Sequence, residues 1–258
     1  MRENDELRKR IRTREITGQT SGLARGFAQA NLVILHKRYA FDFLLFCIRN
    51  PKSCPLLDVC EAGEINPNKL SIDADIRTDI PKYRILKDGV LIEEVTDCLK
   101  YFNEDSVSFL IGCSFTFEDA LIKNGVPIRH IDENKNVPMY ITNIECTEAG
   151  IFSGPTVVSM RPMSKDLIQK AIDVTSEYPS VHGAPLKIGN YEELGISDIN
   201  KPDFGDAVTI REGEIPVFWA CGVTPQAAIM RARPDLVITH SPGHMFITDI
   251  RDEELKSL

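Results

Sequence analysis

The sequence contains no long apolar run, no excess of basic residues and no C-x-x-C pair of cysteines. A membrane-spanning helix needs roughly 20 consecutive apolar residues, and no stretch here approaches that length. The net charge is −8, whereas a nucleic-acid-binding domain carries a basic face. Neither a membrane nor a nucleic acid is therefore expected as a partner.

The location of the protein is indicated by its N-terminal segment and its cysteines. The opening segment, MRENDELRKRIRTREI, alternates in charge and lacks the apolar core of a secretory signal. The seven cysteines form an odd set in a long chain, unlike the disulfide framework of small secreted domains. Both features predict a cytoplasmic protein whose thiols stay reduced.

Histidine is scarce, with five residues in the chain, and two of them lie four positions apart in ITHSPGHMFITD. His240 and His244 would face one metal ion only if a helical turn joined them. Pro242 and Gly243 exclude that helix and are typical of a type II turn. In a tight hairpin, alternation would aim the two imidazoles at opposite faces. No other segment has zinc-like spacing, so neither a metal ion nor a cofactor is expected.

The chain has 258 residues and is 43% hydrophobic, which suffices for one large domain or two modest ones. Predicted helices cover 38–49, 116–125, 164–178 and 224–233, with Thr116 and Thr224 as N-caps of the second and fourth. Predicted strands cover 83–94 as a hairpin, then 106–114, 137–145, 156–163, 215–222, 235–240 and 245–250. The mixture indicates an α/β protein.

The order of these elements predicts two units. The strand–helix–strand order at 215–240 is a βαβ unit, whose strands should lie parallel in one sheet. The strand–strand–helix order at 137–178 is typical of a small α+β module. We therefore predict a three-layer α/β main domain, residues 1–133 and 205–258, with a partly parallel sheet. An inserted two-layer α+β module would cover residues 134–204.

The predicted strand ends locate a candidate site. In open α/β sheets, ligands bind outside the carboxyl ends of the strands. Three strands end in GCS at 112–114, ACGVT at 220–224 and THSPG at 239–243. If these strands are parallel neighbours, the segments line one crevice. His240 is the candidate general acid/base in that crevice.

Other residues near these ends are candidates for binding a carboxylate. Free N–H groups at a helix N-terminus favour an anion, which suggests Ser114, Thr224 and Gln226. Cys221 would line the same crevice. Arg161 follows an apolar strand, so its guanidinium could clamp a carboxylate, although a surface arginine is an equal alternative.

Two further residues would support a different chemistry. Cys113 precedes a helix N-terminus, which can lower the pKa of a thiol and make it a nucleophile; a packing cysteine is the alternative. His182 lies beside Gly183 in a turn that can present an imidazole to a cleft. Cysteine–histidine catalysis would use either His182 or His240.

Residues 17–32, TGQTSGLARGFAQANL, form a polar, glycine-rich approach to the helix at 38–49. A plain surface loop is the favoured interpretation of this composition. The alternative is a loop that binds a polar ligand, in which Gln29 and Asn31 would contact the substrate.

Seven motifs in order resemble one protein family. They are TSGLARGFAQANLVIL, FLLFCIRNPKSCPLLD, FLIGCSFTFEDAL, VVSMRPM, HGAPLKIG, FWACGVTPQ and THSPGHMFITD. They span nearly the whole chain and are similar to the hydro-lyase family that includes the hydro-lyase-like domain of mitochondrial D-glutamate cyclase. At the position of His36 this family leads us to expect proline, which makes His36 a poor catalytic candidate.

The resemblance implies a cytosolic, two-domain α/β protein and a lyase that removes water from a small acid. The substrate would be a hydroxy acid or an amino acid, with D-glutamate/5-oxoproline-type chemistry included. Two alternatives stay open: a cysteine-dependent amidohydrolase or cyclase, and a non-catalytic protein that binds a small acid. The oligomeric state is open as well, with a homodimer as the working hypothesis.

Overall fold

A computed structural model describes residues 3–256. The helices in this part of the chain are α1 (Glu3–Arg12), α2 (Lys37–Arg49), α3 (Phe115–Lys123), α4 (Arg129–Asp132), α5 (Lys165–Ser176) and α6 (Thr224–Ala232). The strands are β1 (Phe27–His36), β2 (Leu56–Cys60), β3 (Tyr83–Lys87), β4 (Val90–Val95), β5 (Ser106–Gly112), β6 (Met139–Glu145), β7 (Pro155–Ser164), β8 (Lys187–Ile188), β9 (Glu214–Ala220), β10 (Val237–His240) and β11 (Phe246–Arg251). Among the described helices, none is long and apolar enough to span a bilayer.

Strand β1 is the centre of the larger of two sheets. The strand order is β2-β5-β1-β10-β3-β4, and β11 also pairs with β1. Residues 28–35 of β1 are all buried because strands flank both of its edges and side chains pack on both of its faces. Val33 and Leu35 pack on the face that α2 covers, whereas Leu32 and Ile34 belong to the opposite core.

The second sheet has the order β6-β7-β9-β8 and packs against α5. Trp219 of β9 donates a hydrogen bond from Nε1 to Oγ1 of Thr175 in α5, at 3.2 Å. Phe117 of α3 packs against the same indole, with ring centroids 5.8 Å apart. Strand β9 lies beyond residue 204, so this sheet extends past the predicted inserted module. The division of the chain into two domains stays a prediction.

The α/β class is confirmed, but the partly parallel sheet is wrong. Every strand pair within residues 3–256 is antiparallel. Strands β9 and β10 flank α6 as predicted, yet β9 pairs with β7 in the second sheet and β10 pairs with β1 and β3 in the first. The βαβ rule applies only when both strands join one sheet. Apolar patterning does not tell which sheet a strand joins, and α6 instead connects the two sheets.

Local predictions from the sequence have mixed outcomes. The hairpin at 83–94 is confirmed as β3 and β4. The surface-loop interpretation of residues 17–32 is wrong at its C-terminal end, because residues 27–32 lie in β1. Gln29 and Asn31 are buried there, and each side-chain amide donates to main-chain carbonyl groups inside the fold. Polar composition alone could not show that these amides are satisfied internally.

The two threonines predicted as N-caps lie inside their helices. The N-cap positions are Ser114 for α3 and Val223 for α6. Thr116 instead accepts a hydrogen bond from a main-chain N–H of β1 at 3.3 Å. Thr224 accepts one from a main-chain N–H of β7 at 3.0 Å. Both hydroxyls therefore tie the start of a helix to a neighbouring strand.

Candidate active site

The three predicted strand ends meet although the sheets are antiparallel. Strands β5 and β10 lie on opposite sides of β1, and each is antiparallel to it. Two strands that are both antiparallel to a third run in the same direction. Their carboxyl ends, at Gly112 and His240, therefore lie at the same end of the first sheet. Strand β9 brings Cys221 to this end from the second sheet.

Gly222, after the last strand residue of β9, lies against Asn31 of β1. A Cβ atom on Gly222 would lie 2.0 Å from Nδ2 of Asn31, which is far inside van der Waals contact. Asn31 is itself held by donating from Nδ2 to the carbonyl oxygen of Gly112 at 2.8 Å and to that of Ile111 at 3.2 Å. Glycine at 222 therefore allows the loop after β9 to approach this fixed amide.

A small cavity lies at this junction. Its lining residues are Asn31, Cys113, Ser114, Phe115, Asn136, Val137, Met139, Cys221, Gly222, Val223, His240, Gly243 and Met245. These residues come from β1, β10, the starts of α3 and α6, and the loops before β6 and β11. Five of the residues predicted from the sequence are among them: Asn31, Cys113, Ser114, Cys221 and His240.

His240 has one ring nitrogen anchored and the other without a partner. Pairing of β10 with β1 ends at Thr239, and β11 resumes the pairing at Phe246. In this gap, Nδ1 of His240 lies 3.1 Å from the main-chain nitrogen of Leu32 and 3.2 Å from its carbonyl oxygen. The imidazole thus occupies the place of a missing strand partner. Nε2 is buried and has no hydrogen-bond partner in the described residues.

Burial keeps this imidazole neutral. It lowers the pKa of His240 to about 4, although the hydrogen bond with Leu32 acts in the opposite direction. A neutral imidazole carries one N–H and one lone pair. When Nδ1 accepts from the main-chain N–H of Leu32, Nε2 carries the proton. When Nδ1–H instead donates to the carbonyl oxygen of Leu32, the lone pair is on Nε2. In that tautomer His240 can accept a proton from a molecule in the cavity.

The turn after His240 separates the two histidines. The main-chain N–H of His244 donates to the carbonyl of Ser241 at 2.9 Å, and Gly243 has a φ of +83°. Both features are those of a turn with glycine at its third position. His244 lines a different surface pocket and has Nδ1 3.0 Å from the carbonyl oxygen of Pro242. The cavity therefore contains one imidazole.

Asn136 is a cavity residue that the sequence did not reveal. Its main-chain N–H donates to Asp206 Oδ2 at 2.9 Å, which fixes the loop before β6. Its side-chain Oδ1 is buried and unpartnered, like Nε2 of His240. In the polar loop ENKNVP, nothing distinguishes this asparagine from its neighbours. Tertiary structure alone brings it opposite the strand ends.

The two cysteines of the cavity are buried thiols. Burial raises the pKa of Cys221 to about 11 and raises that of Cys113 further, although each accepts a main-chain hydrogen bond that acts in the opposite direction. The direction for Cys113 is the reverse of the lowering expected at a helix N-terminus. Desolvation of the thiolate outweighs the helix dipole here. Both thiols are therefore protonated at neutral pH.

Ser114 joins the cavity to a buried ion pair. Its Oγ accepts a hydrogen bond from Nη2 of Arg161 at 3.1 Å. Nε and Nη2 of Arg161 also donate to Glu118 Oε1, at 3.1 and 2.5 Å. Burial opposes ionisation of Glu118, but His130 and Arg161 outweigh that effect and lower its pKa. Arg161 thus neutralises Glu118 and does not line the cavity as a carboxylate clamp.

The remaining predicted residues lie outside the cavity lining. Gln226 supports the site from behind, since its Nε2 donates to the carbonyl oxygen of His240 at 3.1 Å. The hydroxyl of Thr224 accepts a hydrogen bond from the main chain of β7 and so connects α6 to that strand. His182 is buried with Nδ1 2.9 Å from the carbonyl oxygen of Lys52, and burial lowers its pKa to about 4. Gln29 lines a neighbouring pocket.

Comparison with known proteins identifies the family. A sequence model described as D-glutamate cyclase matches residues 107–249, which is more than half of the chain. The chain belongs to the D-glutamate cyclase family. The matched range contains Cys113, Ser114, Asn136, Cys221 and His240 of the cavity. The resemblance of the seven sequence motifs is thereby confirmed.

Members of this family that are provisionally named hydro-lyases match nearly the full length. One from Bacillus velezensis is 63% identical over 98% of this chain and 96% of its own length. Relatives from Stutzerimonas stutzeri and Bacillus subtilis are 61% and 60% identical, over 96% and 98% of this chain and 94% and 98% of their own lengths. A solved nitrogen repressor-like protein from Methanococcus jannaschii matches 92% of this chain and 96% of its own length, with 12% identity and a TM-score of 0.39. That score is too low to support an argument.

Proposed function

We propose that the cavity removes water from a small carboxylate, either a hydroxy acid or an amino acid, with His240 as the acid/base group. The observation that supports this most directly is the unpartnered Nε2 of a fully buried imidazole that lines a small cavity. A buried polar nitrogen without a partner is costly, and a bound ligand would satisfy it. The cavity is small, which favours a small substrate.

The cavity has the electrostatics that a carboxylate requires. Helices α3 and α6, of nine residues each, both begin at its wall. The N-terminal ends of helices are partially positive, which favours an anion. At α6 this is a dipole effect alone, because the N–H groups of Thr224 and Gln226 already donate to the main-chain carbonyls of Cys221 and Val223. Among residues 3–256, no aspartate or glutamate belongs to the lining of this cavity, so no acidic side chain described there repels a carboxylate. These features favour an anionic ligand over a cationic one.

Binding of a carboxylate would also tune His240. The imidazole has its pKa lowered to about 4 by burial, which makes it a weak base while the cavity lacks an anion. A negative charge placed nearby stabilises the imidazolium and raises that pKa. The imidazole of His240 would therefore become a stronger base when the substrate binds. A general base is most effective when its pKa lies near the working pH.

Dehydration of a 3-hydroxy acid can proceed through this one group. Nε2 of His240 takes the proton from the carbon next to the carboxylate. The electron pair left on that carbon forms the double bond as the bond to the hydroxyl oxygen breaks. The leaving hydroxide takes the proton back from Nε2 and departs as water. Ring closure of an amino acid with loss of water needs a comparable proton transfer. The proton leaves the attacking nitrogen and reaches the departing oxygen.

Protonated thiols favour this assignment over the cysteine-dependent alternative. A cysteine nucleophile acts as the thiolate, and burial raises the pKa of both Cys113 and Cys221. The two thiols then serve as walls of the cavity. A purely binding role for the cavity remains an alternative, which an assay for turnover separates from catalysis.

The test uses nuclear magnetic resonance in D₂O with a panel of small 2- and 3-hydroxy acids and both enantiomers of glutamate. Loss of the proton signal next to the carboxylate, with an alkene signal, reports dehydration. Appearance of 5-oxoproline without that exchange reports ring closure. Saturable binding of a panel member with neither signal would contradict catalysis and support a binding protein.

Two matched variants test His240 as the acid/base group. His240→Asn keeps a polar atom near the position of Nδ1, and thus the contact with Leu32, but removes Nε2. We expect turnover to fall about 10²- to 10⁴-fold, as is typical when a general acid/base is lost. His244→Asn, four residues away and outside the cavity, should leave turnover nearly unchanged. Full activity of His240→Asn would refute the role of His240.

A further inference from the structure

A second small pocket shares Phe115 with the cavity of His240. It is bounded by the loop at 22–26, by α3 and by the 3₁₀ turn Asp252–Leu255. Phe115 lines both spaces, and no other residue does. The second pocket is therefore a separate space with different lining residues.

Two buried oxygen atoms of this pocket lack hydrogen-bond partners in the described residues. They are Oε1 of Gln29, whose residue is 3% exposed, and Oδ1 of Asp252, whose residue is 4% exposed. The Gln29 amide cannot be turned round, because its Nε2 already donates to the carbonyl oxygens of Thr20 and Leu23, at 3.0 and 3.1 Å. Both free atoms are thus acceptors that call for a ligand with N–H or O–H donors.

The charges around the pocket favour a cation. Three carboxyl groups line it, those of Glu118, Asp119 and Asp252, against one arginine, Arg25, whose side chain is exposed. Glu118 is neutralised by Arg161, and Asp119 forms a 2.7 Å ion pair with Lys123 of the same helix. Asp252 is the one of the three for which no ion pair is found in the described residues. Its carboxyl is available to balance the charge of a ligand.

Other walls of the pocket limit the size and kind of cation. The apolar lining consists of Leu23, Phe27, Phe115, Ile122 and Ile131, with glycine and alanine in the loop. Such walls suit a short alkyl group. In the part of the chain described, no group of three or more histidine, cysteine, aspartate or glutamate side chains is arranged to hold a metal ion. A primary ammonium needs only a few acceptors for its three N–H donors.

We propose that this second pocket binds a small primary ammonium compound, with Oε1 of Gln29 and the carboxylate of Asp252 accepting its N–H groups. The alkyl part of the ligand would lie against Ile122 and Ile131. The site is reached from the surface beside α3, where Ile122 is 41% exposed.

Proton release should accompany binding. Burial raises the pKa of Asp252 to about 7, with Asp119 and Glu253 adding to the effect and Lys123 opposing it. Glu118 and Arg25 are the other charged groups that line the pocket. Because an ammonium group binds the ionised carboxylate, affinity should rise about tenfold between pH 6 and pH 8, as the ionised fraction does for a pKa near 7.

The experiment titrates the full chain with methylammonium chloride by calorimetry, at constant ionic strength with potassium chloride. Tetramethylammonium chloride is the control, because it has the same charge and no N–H donor. We expect saturable binding of methylammonium that is at least tenfold tighter than that of tetramethylammonium. Equal affinity for the two, or no saturable binding of methylammonium, would overturn the proposal.

Variants locate the binding. Asp252→Asn should weaken methylammonium at least tenfold at pH 8 and abolish the pH dependence. Glu253→Gln removes a charge from the adjacent exposed residue and should change affinity less than twofold. Ile122→Trp fills the pocket from the surface without touching the two acceptors, so it should also abolish binding. Wild-type affinity in both Asp252→Asn and Ile122→Trp would place the ligand elsewhere and overturn the site.

Discussion

The neutral state of buried His240 predicts a specific pH dependence of stability. The folded-state pKa is lowered to about 4, whereas an unfolded histidine has the ordinary value of 6.5. Between these two pH values the unfolded chain binds more protons than the folded protein. The contribution is therefore fully present above about pH 6.5 and is lost as the pH falls toward 4.

The size of this effect follows from the two pKa values. Lowering the pH from 7.5 to 5 should remove about 2 kcal/mol of unfolding free energy through His240 alone. Asn at position 240 does not titrate, and its amide can still reach the main chain of Leu32. Comparing the wild type with His240→Asn cancels other titrating groups, such as Asp252, whose raised pKa changes stability in the opposite direction.

The assay is urea unfolding of the wild type and His240→Asn at pH 7.5 and at pH 5. The variant should be the less stable protein at pH 7.5, because it loses ring packing in the core. At pH 5 the difference should shrink by about 2 kcal/mol or change sign. His244→Asn should show a smaller shift of the same sign, since its ring is half-buried and its pKa is lowered too. A difference that does not vary with pH would refute the neutral, desolvated state of His240.

Further predictions concern two residues of the cavity lining and the ion pair that contacts Ser114. Gly222→Ala should destabilise the protein by about 1–3 kcal/mol in urea unfolding, because its Cβ overlaps Nδ2 of Asn31, and unchanged stability would contradict the close approach. Glu118→Gln should cost about 3–5 kcal/mol because Arg161 is left charged and buried, and a loss below about 1 kcal/mol would show that the pair is solvated. Cys113 should react with iodoacetamide at pH 7 more slowly than free cysteine, as measured by mass spectrometry; fast labelling would support the cysteine nucleophile instead.

Several parts of the site could be predicted from short-range patterns. Pro-Gly after His240 excluded a helix and hence joint metal binding with His244, and the structure places the two rings in different pockets. Strand ends at Gly112 and Ala220 were located to within about two residues, because apolar runs and the turn residues after them are local signals. These signals also identified four of the thirteen cavity residues: Cys113, Ser114, Cys221 and His240.

Other parts depended on partners far away in the chain. The prediction that Gln29 and Asn31 lie in a surface loop was wrong. Their side-chain amides donate hydrogen bonds to main-chain carbonyls that only folding brings near. For Cys113 the sequence left open a nucleophile with a lowered pKa and a packing cysteine. Burial, which the position before a helix does not reveal, raises the pKa of this thiol and favours the packing interpretation. Asn136 carried no signal at all. In each instance the deciding quantity was desolvation or a distant hydrogen-bond partner.

The sequence by itself determined the family, the main helices and strands, and the place where β10 must stop, because each depends on local residue order. Tertiary structure decided that both sheets are antiparallel, since backbone pairing depends on which strands become neighbours. It also decided that the strand ends still meet, because β5 and β10 are separated by β1 and so run in one direction. Tertiary structure also decided which ring nitrogen of His240 is free. Leu32, 208 residues away in the chain, lies within hydrogen-bond distance of Nδ1 and leaves Nε2 without a partner in the described residues.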